Sequence, residues 1–282
     1  MSGRVYPVDF RADARAALRA RPWTRWGDRL PDGHPLRHSV GPVARAALGL
    51  PQLGGGEREA HESRLLADWL VRNAQGGPGG RGVAWYTFPT LPAYGVDAGW
   101  PSAEGQGLAV AALLGAHEAT GEAEYLETAR AAVPAFAADV AEGGVRRELE
   151  GAVAFEGIPA QGPVLPLGAW GHAIVALREL ASRGEAEAGE LASAGLAGLR
   201  AFAPRYTTAG WYLRSLHPMP GPDVASALDV RRQAEMLEFL GRTENADDLA
   251  VAARERRAAL RGVRRWRGSS PLAWRRDRWV PR

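Results

Sequence analysis

Apolar residues recur at intervals of three and four positions along most of the chain, which is the spacing of one face of an α-helix. In the clearest case the pattern runs from 102 to about 119, with Leu108, Leu113 and Leu114 set among alanines. A polar turn containing a glycine follows at 120–122, and a second helical pattern begins directly after it. Together the two patterns predict a helical hairpin.

The same unit of helix, polar turn and helix returns twice further along the chain, at a spacing of about 60 residues that marks an internal repeat. The second copy covers 167–202 and the third covers 225–260. An earlier and looser pair of helices, 40–48 and 57–73, has a glycine-rich spacer between its halves. The chain is therefore predicted to be a series of stacked hairpins.

Long connectors rich in glycine, proline and aromatic residues separate the hairpins, at 75–101, 142–164 and 203–223. Loops of this length in a compact domain usually carry function. We predict an all-α fold, an incomplete (α/α) barrel whose connectors gather at one end. A single domain spanning 1–282 is expected, with an N-terminal extension at 1–38 and a tail rich in arginine and tryptophan at 266–282.

Composition narrows the chemistry further. The 282 residues contain no cysteine, which excludes disulfides, thiolate metal sites and cysteine nucleophiles. All 35 basic residues are arginine, so a lysine Schiff base is also excluded. The longest apolar run, 108–114, is far too short to span a membrane, and no signal-peptide pattern opens the chain, so we expect a cytoplasmic protein without a membrane partner.

Arginines and tryptophans interleave near the C-terminus, an arrangement that could hold nucleic acid by phosphate contact and stacking. A solvated helix face followed by a tail explains the same residues, and on that interpretation we expect no nucleic-acid partner. A homodimer through the helical exterior is left open.

The connector that runs into the first clear helix is the most informative stretch. It carries Trp100, Glu104 and Gln106, and such a junction points an aromatic, a carboxylate and an amide above the start of a helix. Further aromatic residues lie in or beside the connectors, where they either bind a sugar ring or fill the barrel. Those named as candidate ligand contacts are Tyr86, Trp100 and Trp211.

The six histidines are scattered and form no metal-binding pattern, so neither a metal ion nor a cofactor is expected. His172 lies on the apolar helix of the second hairpin. It is either a satisfied core residue or, if it faces the interior of the barrel, a binding residue and general base.

Several segments resemble one known family in order and spacing. They are Gly41-Pro-Val-Ala-Arg45, Ala67-Asp-Trp-Leu-Val-Arg72, Trp100-Pro-Ser-Ala-Glu-Gly-Gln-Gly107, Ala119-Thr-Gly-Glu-Ala-Glu-Tyr-Leu126, Val140-Ala-Glu-Gly-Gly-Val145, Phe155-Glu-Gly-Ile-Pro159 and Tyr206-Thr-Thr-Ala-Gly-Trp-Tyr-Leu-Arg-Ser-Leu216. Together they look like the C-terminal catalytic domain of the D-glucuronyl C5-epimerases. The resemblance implies an (α/α) barrel and proton transfer at C5 of a uronate, which requires a base, an acid and partners for an enolate-like intermediate.

The chain differs from that family at the positions where the family has its proton-transferring residues. Glu156 and the proline three positions later match, but Gly157 and Ile158 stand where the family has its Glu-Tyr pair. A second family tyrosine falls on Arg214, and a third falls near Asp229.

Two hypotheses follow. In the first, the centre of the barrel has been rebuilt for an epimerase-like or cyclase-like reaction in a bacterial biosynthetic pathway. Its substrate is then a small molecule or saccharide that is acidic or polar. The candidate proton carriers are Glu104, Glu156, Tyr206, Tyr212 and Asp229, and the candidate substrate-binding residues are Tyr86, Trp100, Gln106, His172, Trp211, Arg214 and Arg231, with Arg232 beside them. In the second, proton chemistry has been lost and a carbohydrate- or metabolite-binding module remains.

Overall fold

The computed structural model describes residues 6–19, 39–54, 56–208, 210–217 and 220–268. These residues are mostly helical, which confirms the predicted all-α fold. The helices are α1 (Arg11–Arg19), α2 (Val40–Gly49), α3 (Glu57–Arg72), α4 (Ala103–Thr120), α5 (Ala123–Ala131), α6 (Val133–Ala137), α7 (Leu167–Ala181), α8 (Ala186–Phe202), α9 (Ala227–Thr243) and α10 (Asp247–Gly268).

Two layers of helices build the core. Helices α2, α4, α7 and α9 pack against one another in chain order and form the inner layer. Each contacts the helix that follows it in its hairpin, α3, α5, α8 or α10, on the outside. Helices α4 and α7 are buried on nearly every side, as expected for helices that are apolar all round.

The inner helices approach one another closely. A Cβ atom on Gly107 of α4 would lie 2.5 Å from the carbonyl oxygen of His172 on α7, so only glycine fits at this crossing. The predicted hairpins are present with their expected turns, such as the one in which Gly121 ends α4 at a φ of 76°. Closure of the inner layer into a barrel stays a prediction.

The predicted N-terminal extension includes residues 6–19, which belong to the main core. Tyr6, Val8, Phe10, Ala14 and Ala17 are all buried in it. Helix α1 packs against α2, and a side chain of α1 also reaches α9, as described below. In the predicted tail, α10 continues to Gly268, and 269–282 lie outside the described residues.

Four short antiparallel hairpins lie in the connectors. They pair β1 (Gln75–Gly76) with β2 (Val83–Ala84), β3 (Tyr86–Thr87) with β4 (Trp100–Pro101), β5 (Arg146–Leu149) with β6 (Ala152–Phe155), and β7 (Thr207–Thr208) with β8 (Trp211–Tyr212). Among the helices that the structure describes, none is both long and apolar enough to cross a membrane.

Candidate functional site

All three connectors meet at one cavity of about 380 Å³. The first contributes Thr87, Tyr94 and Trp100, the second Gly157, Ile158 and Val164, and the third Arg214, Ser215 and Asp223. The convergence of the connectors, predicted from the repeat, is therefore present. Phe10 lines a further part of the wall.

The inner helices form the floor of the cavity with their N-terminal turns. Gly41 of α2, Glu104 of α4, Gly168 of α7 and Asp229 of α9 all line it within three residues of the start of their helices. No side chain caps α2, α4 or α7. Because a helix N-terminus carries a partial positive charge of about half a unit, four of them together favour a bound anion.

Glu104 lies on this floor within a chain of charged side chains. Arg45 Nη1 donates to Glu104 Oε1 at 2.8 Å and Arg45 Nε donates to Asp13 Oδ1 at 3.1 Å. Arg232 Nη2 in turn donates to Asp13 Oδ2 at 2.6 Å. Burial acts to raise the pKa of Glu104, but Arg45, His172 and Arg232 outweigh it and hold that pKa below its usual value. Glu104 is therefore ionised at neutral pH.

His172 lies on the α7 wall of the cavity, against the N-terminal segment. Its Nδ1 is 2.7 Å from the hydroxyl oxygen of Tyr6, and the rings of Tyr6 and Phe10 lie 5.8 and 6.0 Å from the imidazole ring. Burial lowers the pKa of His172 to about 4, with Glu104 acting in the opposite direction and Arg45 and Arg232 adding to the decrease. The imidazole is therefore neutral at pH 7.

The third connector and α9 form the polar rim. Arg214 Nε donates to both oxygens of Asp223, at 3.2 and 3.0 Å, and Ser215 Oγ donates to the same carboxylate. Asp229 lines the cavity and also caps α9, because its Oδ2 accepts from Ser226 N at 2.8 Å. Trp100 is fixed by a 2.8 Å bond from its Nε1 to the carbonyl oxygen of Pro89.

Five of the twelve predicted site residues therefore line the cavity: Glu104, Asp229, Trp100, His172 and Arg214. The other seven are not among its lining residues. They are Glu156, Tyr206, Tyr212, Tyr86, Gln106, Trp211 and Arg231.

Glu156 is fully buried and holds the second connector in shape. It accepts from Arg147 Nε at 2.6 Å, from Leu165 N at 2.9 Å and from Val164 N at 3.1 Å. Burial raises its pKa, and the bonds from these three donors only partly counter the increase. The Tyr206 hydroxyl donates to the carbonyl oxygen of Leu165 at 2.6 Å, so it supports the same segment.

Four of the remaining five also bond or pack within the protein. The side chain of Gln106 makes two hydrogen bonds to the backbone of Trp85: its Oε1 accepts from Trp85 N at 3.0 Å, and its Nε2 donates to Trp85 O at 2.6 Å. The ring of Tyr212 lies 4.5 Å below the guanidinium of Arg256. The other polar bonds run from the Tyr86 hydroxyl to Gly76 O and from Trp211 Nε1 to Ala225 O. Arg231 is exposed, and its neighbour Arg232 faces the cavity instead.

Several cavity residues were missed by the sequence interpretation as site residues. Arg45 lies in a quoted segment of the resemblance and Tyr94 lies in the connector 75–101, but neither was given a role. Phe10 lines the cavity, and Tyr6 and Asp13 bond to side chains that line it. All three fall in the segment taken for an extension, where no pattern in the sequence marks them. Within the described residues no group of three or more histidine, aspartate or glutamate side chains could hold a metal ion.

Helical hairpins whose connectors and inner helix ends enclose one polar, aromatic cavity define a class of α/α proteins that bind or transform ligands at one end of the helices. The family model for the D-glucuronyl C5-epimerase C-terminus matches residues 82–250 of this chain, which is more than half of it. The chain belongs to this family.

A curated relative is similar over part of the same region. It is the protein named D-glucuronyl C5-epimerase from Caenorhabditis elegans, 29% identical over 165 residues. The match covers 54% of this chain and 27% of the relative. The matched part of the chain thus spans about a quarter of the length of that protein.

Proposed function

We propose that this protein is an epimerase-like enzyme that moves a proton at a carbon atom beside the carboxylate of an acidic saccharide, without a cofactor. The observation that carries the proposal is the floor of the cavity, where four helix N-termini meet and Arg45 and Arg232 hold Glu104 ionised, with Arg214 on the rim. Membership of the family supports the same reaction class.

An acidic substrate fits the charges of this floor. Positive helix ends and guanidinium groups favour a carboxylate, and Arg can bind one in bidentate geometry. The aromatic wall of Phe10, Tyr94 and Trp100 is suited to the apolar face of a sugar ring. A cavity of about 380 Å³ is within the usual size of small-molecule sites.

Glu104 is the proton acceptor in this proposal. In the free protein Arg45 stabilises its charge, which makes it a weak base. A substrate carboxylate bound beside Arg45 would draw on the same positive charge and raise the pKa of Glu104, as a nearby like charge does. The base would then be strengthened only when substrate is bound.

Epimerisation also needs a group that returns a proton to the opposite face of the carbon. Among the described residues that line the cavity, Tyr94 of the first connector and Asp229 of α9 can carry a proton and come from other elements than Glu104 of α4. The proposal assigns the second transfer to one of these two. It gives no proton-transfer role to Glu156, Tyr206 or Tyr212.

A non-catalytic binding module is the second candidate function, and one observation favours it. Gly157 stands where the family has a proton-transferring glutamate, and a Cβ atom there would lie 2.6 Å from Pro166 Cγ. The place of that side chain is therefore closed in this chain. If Glu104 does not replace it, the cavity binds its ligand without chemistry.

Deuterium uptake tests the proposal. Uronate-containing oligosaccharides are incubated with the protein in heavy water, and exchange beside the carboxylate is followed by NMR. The wild type should incorporate deuterium, and Glu104→Gln should lower the rate by about 100-fold or more, the range expected for loss of a general base.

Glu118→Gln is the matched control. It makes the same change at the other end of α4, where Glu118 pairs with Arg183 on the surface, and it should leave the rate unchanged. Asp229→Asn and Tyr94→Phe then identify the second proton carrier by which of them is inactive. Binding of a uronate without any exchange would favour the second candidate function.

A further inference from the structure

The N-terminal segment makes a specific contact inside the site. Tyr6 is buried, and its hydroxyl meets Nδ1 of His172, which lines the cavity. The segment is held in place by Gln52, which accepts from Phe10 N at 2.8 Å and donates to Val8 O at 2.9 Å. Tyr6 lies outside residues 82–250, the part of the chain that matches the family model.

We propose that Tyr6 is a positioning residue that fixes His172 in the neutral form with its hydrogen on Nε2, so that His172 offers a hydrogen-bond donor to a substrate oxygen. The tautomer follows from this pair alone. Only the identity of the substrate oxygen rests on the proposed function.

The direction of the hydrogen bond follows from what each partner can do. Among the described residues, the Tyr6 hydroxyl has hydrogen-bond contact with His172 Nδ1 alone. A buried hydroxyl hydrogen that has one acceptor within reach is donated to that acceptor. Nδ1 is then the unprotonated nitrogen, and a neutral imidazole carries its hydrogen on Nε2.

The charged groups around the ring agree with a neutral imidazole. A positive charge on the imidazole would be favoured by Glu104 of α4, but it is opposed by burial and by Arg45 and Arg232. The opposing effects are larger, so the pKa of His172 is lowered. The Tyr6 hydroxyl stays protonated because burial, followed by Glu179 and Glu104, raises its pKa.

This tautomer gives His172 a role that differs from that of a base. Nε2 has no hydrogen-bond partner in the described part of the chain, and a neutral N–H can stabilise negative charge as it develops on an enolate-like oxygen. Glu104 on the floor of the cavity would then remove the proton, and His172 on the α7 wall would stabilise the negative charge that develops on the same substrate.

Nitrogen NMR of histidine tests the tautomer without a substrate. Long-range ¹H–¹⁵N spectra of ¹⁵N-histidine-labelled protein distinguish protonated from unprotonated ring nitrogens, and His172→Asn assigns the signals. Wild-type His172 should show a protonated Nε2 and an unprotonated Nδ1. His117 is an internal reference with a protonated Nδ1. Its Nδ1 lies 2.8 Å from the carbonyl oxygen of Glu122, which can only accept, so this nitrogen must carry the hydrogen.

Tyr6→Phe should shift His172 toward a mixture of tautomers, because Nδ1 loses its donor. Tyr125→Phe removes another buried hydroxyl, one that donates to Asp68 away from the cavity, and should leave the His172 signals unchanged. On a substrate that exchanges deuterium, Tyr6→Phe should lower kcat by about 10-fold with little change in KM.

A wild-type His172 with its hydrogen on Nδ1, or a Tyr6→Phe spectrum identical to that of the wild type, overturns the proposal. If Tyr6→Phe does not fold, the wild-type spectrum decides alone. Failure of the proposed function appears differently, as absence of deuterium uptake by a wild type whose His172 has the expected tautomer.

Discussion

At the residue scale, the site is defined by which carboxylate reaches the cavity. Glu104 opens onto the cavity with a side chain 38% exposed, whereas Glu156 is fully buried and enclosed by its own donors. The family motif identifies Glu156 as a site residue. It cannot distinguish a carboxylate that opens onto the cavity from one that is enclosed, because a position in a motif does not show where the side chain points.

The position of a residue around its helix also decides whether its side chain faces the cavity. Arg231 and Arg232 are neighbours on α9, and a rotation of about 100° per residue turns one to solvent and the other to the cavity. Both were considered in the sequence, but only the packing of α9 distinguishes them. Trp100 and Glu104 could be predicted because they lie where a connector meets a helix, and His172 because it lies on an apolar helix. Arg214 and Asp229 were predicted from the resemblance, in which family tyrosines fall at or near them.

His172 leads to a prediction about stability and pH. Its pKa is about 4 in the folded protein against 6.5 for an ordinary histidine, so the unfolded chain binds the proton first as the pH falls. The free energy of unfolding should therefore be fully retained above pH 6.5 and decrease by about 3 kcal/mol as the pH falls to 4.

Urea unfolding between pH 4 and 8 measures this dependence. His172→Asn should remove most of the loss between pH 6.5 and 4, whereas His61→Asn, at a residue on the outer helix α3, should keep it. An equal pH dependence in wild type and His172→Asn would contradict a buried neutral imidazole.

At the element scale, helical periodicity predicted the hairpins closely. Helix α4 begins and ends within about one residue of its predicted limits, and α7 and α8 together span the predicted 167–202, because long apolar patterns and clear turns specify them. The four short β-hairpins and helix α1 were not predicted. The hairpin β5–β6 turns at Glu150 and Gly151, both with positive φ, and glutamate is not a usual residue at the first of these positions.

Helix α1 was missed because it is short, rich in arginine and buries only Ala14 and Ala17. Its importance lies in a tertiary contact that no local pattern reports. Asp13 accepts from Arg45 of α2 and from Arg232 of α9, so α1 connects the first and last inner helices through one carboxylate.

Asp13→Asn should therefore lower the free energy of unfolding by about 2 kcal/mol, since it leaves two partly buried arginines without their shared charge. Asp248→Asn is the control, because Asp248 pairs with Arg200 in an exposed position where a salt bridge contributes about 1 kcal/mol or less. Urea unfolding of the two variants makes the comparison. Equal losses would show that α1 does not depend on this contact.

At the scale of the whole molecule, the repeat of hairpins and the position of the connectors predicted where the site lies, although not its chemistry. Connectors that join an outer helix to the next inner helix recur at the same end of a layered helical array, so they meet regardless of their individual sequences. The chemistry depends on side chains brought from residues 6–13, α2, α4, α7 and α9, whose meeting depends on tertiary packing.

Filling the cavity tests the central claim that this space is where substrate is transformed. Gly168 lines the cavity on α7, and a Cβ atom there would meet no other atom within 4 Å, so a side chain can start at this position and we expect the ring of Gly168→Phe to occupy part of the cavity. Gly115 of α4 is equally open but exposed, and Gly115→Phe is the matched control.

The decisive measurement is deuterium uptake by an acidic saccharide with wild type, Gly168→Phe and Gly115→Phe, at equal concentrations of folded protein verified by thermal unfolding. The account predicts uptake by the wild type and by Gly115→Phe, and a loss of about 100-fold or more for a folded Gly168→Phe. Undiminished uptake by folded Gly168→Phe would show that the reaction takes place elsewhere and would contradict the account.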